Sequence, residues 1–199
     1  MSMASASASQ RQHRMATACF LAVAVLALWA APTARGARPP PRAGAAARAQ
    51  AQQQANASAS AADEFLAPHN QARAAVGVAP LRWSGDLAAA AARTASQQQQ
   101  RQARCGFADM AGSPYGANQG WASYPARPAE VVASWVAEGR FYTHANNSCA
   151  AGQQCGTYTQ VVWRRTAELG CAQASCTAGT TLTICLYNPH GNVQGQSPY

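Results

Sequence analysis

The stretch CGTYTQVVWRR, residues 155 to 165, decides how the second half of the chain is read. After the cysteine and glycine come Thr, Tyr, Val and Trp, residue types enriched in strands, so the composition predicts a β-strand over 157–163 with Thr157 at its head. Two more strand-like runs follow, ELGCAQ at 168–173 and TTLTICLY at 180–187, separated by a turn containing Thr177, Ala178 and Gly179.

The residues before this stretch read as helix and loop. Asp63 can cap a helix through EFLAPHNQARAAV, in which Leu66, His69 and Arg73 recur at helical spacing, and Gly77 ends it. A second helix runs through DLAAAAARTASQQQQRQA, rich in strong helix formers and capped by Ser84 or Asp86. The Gly-, Pro- and Asn-rich stretch 108–128 reads as an irregular loop, and Pro128 opens a third helix whose apolar face is Val131, Val132, Trp135 and Val136. Helices first and strands last predict an α+β domain.

The first third of the chain differs. Arg11 and Arg14 precede the apolar run Met15–Ala31, followed by the small residues Ala34 and Gly36, the pattern of a secretory signal peptide over 1–36. The run of about 17 residues sits at the lower limit for a membrane anchor, and no later run is long and apolar enough to span a bilayer. Residues 37–60 hold no large apolar side chain and read as a disordered linker, leaving 61–199 as the folded domain.

The charge of +8 is unevenly placed. Of the fifteen arginines, nine lie in 61–199 against all seven acids, so the domain carries only about +2 and a nucleic-acid function is not indicated. Beyond the leader the chain has six cysteines, 105, 149, 155, 171, 176 and 185. An even set in an exported chain predicts three disulfides among fifteen pairings, and the spacings are not the close CxxC pairs of zinc sites. Asn56 and Asn146 begin glycosylation sequons. The sequence has no GxSxG, HExxH, phosphate-binding glycine loop or close carboxylate pair.

The segments HNQARAAVGVAPLRW, PYGAN, SWVAEGRFY, NSCAAGQQCGTYTQVVWRR, LGCA and CLYNPHGNVQGQSPY occur in the order and spacing of the plant pathogenesis-related class 1 proteins. The chain resembles that family, part of the CAP superfamily of secreted cysteine-rich proteins, over essentially all of 63–199. The resemblance implies an α-β-α sandwich and the pairs Cys105–Cys176, Cys149–Cys155 and Cys171–Cys185. The last pair also suits the two strands flanking the 177–179 turn.

The family's cleft holds two histidines and two glutamates that can bind a divalent metal, and the resemblance places these at His69, Ala117, Glu138 and Thr157. With alanine and threonine at two positions, zinc binding is not expected and no cofactor is implied; His144 is a substitute ligand that no spacing requires. The class of function implied is a secreted, extracellular, non-enzymatic and antimicrobial defence protein. A metal-assisted hydrolase using His69 and Glu138 is the alternative.

The resemblance further implies binding of a sterol or other lipid near Trp135, Phe141 and Tyr142, whose rings suit a flat apolar ligand. It also implies release of a C-terminal peptide of the form PxGNxxxxxPY. Residues 189–199, PHGNVQGQSPY, match this at every fixed position, with the cut between Asn188 and Pro189 and a processing protease and a peptide receptor as partners. CLYN stands before the cut where the family has CNYD.

Overall fold

The computed structural model describes residues 43–101 and 105–199. The leader and residues 37–42 lie outside these. The first helix, α1, spans Ala43–Ala75. The stretch expected as a disordered linker is helical from Ala43, because alanine, glutamine and arginine are strong helix formers and no proline interrupts them before Pro68. Its inward-facing residues begin at Ala62 and Phe65, where the packed domain starts.

The sheet is built from β1 (Arg82–Trp83), β2 (Gly116–Ala122), β5 (Glu168–Ser175) and β6 (Thr181–Asn188), in the order β1-β5-β6-β2. β5 and β6 pair antiparallel with Cys171 opposite Cys185, and β2 lies antiparallel on the other side of β6. The two-residue β1 runs parallel to β5. A second ribbon pairs β3 (Tyr142–Thr143) with β4 (Ser148–Cys149).

β6 is buried on both faces, which makes it the centre of two cores. Leu182, Ile184 and Leu186 pack with Leu87, Ala91 and Ala95 of α2 (Gly85–Arg101). Cys185 and Tyr187 face the opposite way, against Phe65 of α1, Val131, Val132 and Trp135 of α3 (Pro128–Ala137), and Val161 and Val162. The result is the α-β-α sandwich, one helical layer on each side of a mostly antiparallel sheet. α2 sits so close to β5 that a Cβ at Gly170 would overlap the backbone of Ala88. The disulfides join Cys105 to Cys176, Cys149 to Cys155 and Cys171 to Cys185, each worth about 2–4 kcal/mol by restricting the unfolded chain.

Two elements depart from expectation. The 108–128 stretch contains β2, a strand with two glycines that exists because its backbone completes the ladder of β6. The predicted strand 157–163 is instead the short helix α4, Gly156–Val161. Its β-branched residues are overruled by tertiary contacts: Glu138 caps its first N–H groups and its end turns Val161, Val162 and Trp163 into the core. α3 likewise stops at Ala137, and Glu138–Phe141 tighten into a 3₁₀ turn.

Candidate functional sites

His69 lies on the inner face of α1, wholly buried. Its Nδ1 is 2.8 Å from the carbonyl of Phe65, which can only accept, so Nδ1 carries the proton. Nε2 therefore accepts from the Tyr187 hydroxyl, also at 2.8 Å. Asn118 Nδ2 donates to the Tyr187 oxygen at 3.1 Å and to the carbonyl of Thr157 at 2.9 Å. Burial pulls the His69 pKa down to about 4, against a raising effect of the Phe65 carbonyl, and pushes the Tyr187 phenol well up. The ring is a neutral structural group at physiological pH.

Glu138 takes a different role. Its Oε2 accepts the backbone N–H of Thr157 at 3.0 Å and that of Tyr158 at 3.4 Å, capping α4 from outside the helix. Tyr187 and Asn118 link His69 to the carbonyl of Thr157 in one hydrogen-bonded chain. Thr157 Oγ1 is buried with no hydrogen-bond partner.

Ala117 is directly opposite Leu186 and packs with the α2-side core. Its neighbour Asn118 points to the Tyr187 side, because successive strand residues face opposite ways. Asn118 thus stands beside Thr157, while Ala117 packs with the core on the α2 side. Among the described residues no three His, Cys, Asp or Glu side chains come together. Both His69 nitrogens and the Glu138 Oε2 oxygen are engaged in hydrogen bonds within the chain.

Of the three expected lipid contacts, Trp135 is a core residue, 4% exposed and edge-on to His69. Sequence periodicity put it on the apolar helix face, and that face turns inward. Phe141 and Tyr142 are half-buried, with the Arg140 guanidinium 4.5 Å above the Phe141 ring. Tyr142 lies among Tyr158 and Tyr199 and donates to Asn147 Oδ1 at 2.8 Å. His144, the substitute ligand, is stacked on Tyr199 at 4.4 Å. The large exposed rings are elsewhere, at Phe107, Trp121 and Tyr124. Asn56 is exposed on α1, and Asn146 is exposed and accepts from Ser148 Oγ.

Sequence reasoning missed three residues that organise the interior: Tyr187, Asn118 and Arg73. Arg73, wholly buried on α1, donates from Nε to Ala79 O at 2.7 Å. Its Nη1 donates to the carbonyls of Val161 and Trp163 at 3.0 and 2.9 Å, and Nη2 to Thr166 O at 2.9 Å. It thereby closes the C-terminal end of α4. Burial lowers its pKa to about 10, so it stays charged at neutral pH. The signal was present in the i, i+4 spacing of His69 and Arg73 on one helix face, which marks burial without naming partners.

A model of the cysteine-rich secretory protein family, CAP, matches residues 66–187. The chain belongs to the CAP family. It is 50% identical over 141 residues to the STS14 protein of Solanum tuberosum, covering 70% of this chain and 65% of that protein. It is 45% identical over 139 residues to the pathogenesis-related protein PRMS of Zea mays, covering 68% and 81%. Against pathogenesis-related protein 1C of Nicotiana tabacum it is 45% identical over 137 residues, covering 68% and 79%. These relatives place the chain in the pathogenesis-related class 1 group.

The CAP fold is also that of Na-ASP-1, at TM-score 0.57 and 21% identity over 70% of this chain and 41% of that one. NaASP2, solved with Zn²⁺, superposes at TM-score 0.54 and 20% identity over 70% and 84%. At these identities the likeness is one of fold. Among the described residues of this CAP chain, no helix is long and apolar enough to cross a membrane.

Proposed function

We propose that this defence-related CAP protein is secreted, acts without catalysis, and carries its activity in the C-terminal segment, which is cut after Asn188 and released as a peptide. The observation that carries this reading is the segment's place in the fold. β6 ends at Asn188, and 189–199 form no helix or strand, so a cut there removes no rung of the sheet and no helix of either layer. Pro189 and His190 are exposed, which gives a protease access on the far side of the bond. Three disulfides suit an oxidising extracellular setting. The test is mass spectrometry of extracellular fluid during an immune response. An 11-residue fragment beginning at Pro189 is expected, and its persistent absence counts against the reading.

A second reading is sterol or lipid binding at the 141–142 surface. The half-buried Phe141 and Tyr142 support it, with Trp135 excluded by its place in the core. A labelled-sterol assay on the wild type, Phe141→Ala and Tyr142→Ala tests it: equal, background-level binding by all three removes it.

A further inference from the structure

The segment 189–199 lacks secondary structure but is held at its start, its middle and its end. At the start, the Pro189 carbonyl accepts from Thr166 Oγ1 at 2.9 Å and the Gly191 N–H donates to Gln160 Oε1 at 3.0 Å. Gly191 is buried, and a Cβ there would lie 2.7 Å from both Gln160 Nε2 and Trp163 Cγ. In the middle, Asn192 donates to the carbonyl of Gly156 at 2.8 Å and accepts from Thr159 Oγ1 at 2.7 Å. At the end, Pro198 is buried and its carbonyl accepts the Arg164 N–H at 2.7 Å. The Tyr199 ring stacks on His144, 10° from parallel, and its hydroxyl is 3.2 Å from that of Tyr158.

Every partner in these contacts belongs to the body before residue 189, and most lie on α4 or within ten residues of it. A chain with its backbone bonded to the body at 189, 191 and 198, and with a glycine, a proline and a tyrosine seated in fitted places, is held as a peptide ligand is held.

We propose that the α4 face, with the 144–147 turn, is a binding site for the C-terminal undecapeptide as a separate molecule. Resting on the precursor reading above, this makes processing a two-step event. An extracellular endopeptidase adds water across the Asn188–Pro189 bond, leaving a carboxylate on Asn188 and a protonated secondary amine on Pro189. The product is a noncovalent complex, and dissociation of the peptide is the step that releases it.

The test is made on the full chain with a site-specific protease sequence inserted between Asn188 and Pro189, cut after folding. The fragment is expected to co-elute with the body on gel filtration and to exchange slowly with fluorescent PHGNVQGQSPY. Tyr199→Ala in the inserted chain is expected to speed exchange by about tenfold or more, through loss of the stack and the Tyr158 contact. If that insertion prevents folding, judged by near-ultraviolet circular dichroism, the insertion is moved between the exposed Pro189 and His190. A fragment that elutes apart from a folded body, or exchange unchanged by Tyr199→Ala, overturns the proposal. Because the protease is added, the result does not depend on natural processing, whose absence would sink only the precursor reading.

Discussion

The Tyr187 hydroxyl donates to His69 Nε2 at 2.8 Å across the buried face between the last strand and the first helix. That bond, with Phe65 on the other ring nitrogen and Asn118 behind Tyr187, makes His69 a neutral link in the core. The consequences are measurable.

The first concerns pH. The folded chain protonates His69 only near pH 4, whereas an unfolded histidine does so near 6.5. The contribution is thus complete above pH 6.5 and is lost as pH falls from 6.5 to 4, because the unfolded chain then binds the extra proton. Urea titrations should show a loss of about 3 kcal/mol from this group over that interval. His69→Gln should flatten that part of the profile, and an unchanged slope would show that His69 is not its source.

Arg73 should be costly to replace. Arg73→Met removes a donor from four carbonyls, of which Trp163 O keeps the Thr166 N–H, for an expected loss of about 3 kcal/mol or more. Arg73→Lys should recover only part of this, since a compact ammonium cannot span the four carbonyls as the planar guanidinium does. Denaturant midpoints with unchanged m-values check both.

Thr157→Val is expected to be neutral to stabilising, by up to about 1 kcal/mol, because it replaces a buried hydroxyl without a partner by a methyl of similar shape. Glu138→Ala should cost about 1 kcal/mol, the usual penalty for removing a cap from a helix's first N–H groups. Differential calorimetry on the two variants should move the melting temperature in opposite directions. A loss on Thr157→Val would show that the hydroxyl has a partner after all.

Zinc added to the purified protein and then dialysed should remain well below one equivalent, and His69→Gln should not change that value, because both of the ring's nitrogens are already engaged. Stoichiometric retention that His69→Gln abolishes would show that the ring leaves Tyr187 to bind metal.

Trp135→Ala should behave as a core deletion, at a cost of about 3–5 kcal/mol, whereas Phe141→Ala, at a half-buried ring, should cost far less. Thermal melts separate the two, and comparable losses would place Phe141 in the core as well.

Much of the architecture was legible in the residues themselves. The run TTLTICLY at 180–187 marks a strand, and an even set of six cysteines marks three bridges. The helices at 85–101 and 128–137 follow from composition and period. These features are local, so spacing along the chain is enough to show them.

The cleft was decided by contacts that no local pattern carries. The helix at 156–161 is capped by Glu138 from another element, and the face Ala117 takes depends on its register with Leu186. His69 finds Tyr187 across 118 residues, and Arg73 finds Thr166 across 93. Hydrophobic period says that a side chain goes inside, and only the packed tertiary structure says which polar atom meets it there, because that partner is set by layers brought together from distant parts of the chain.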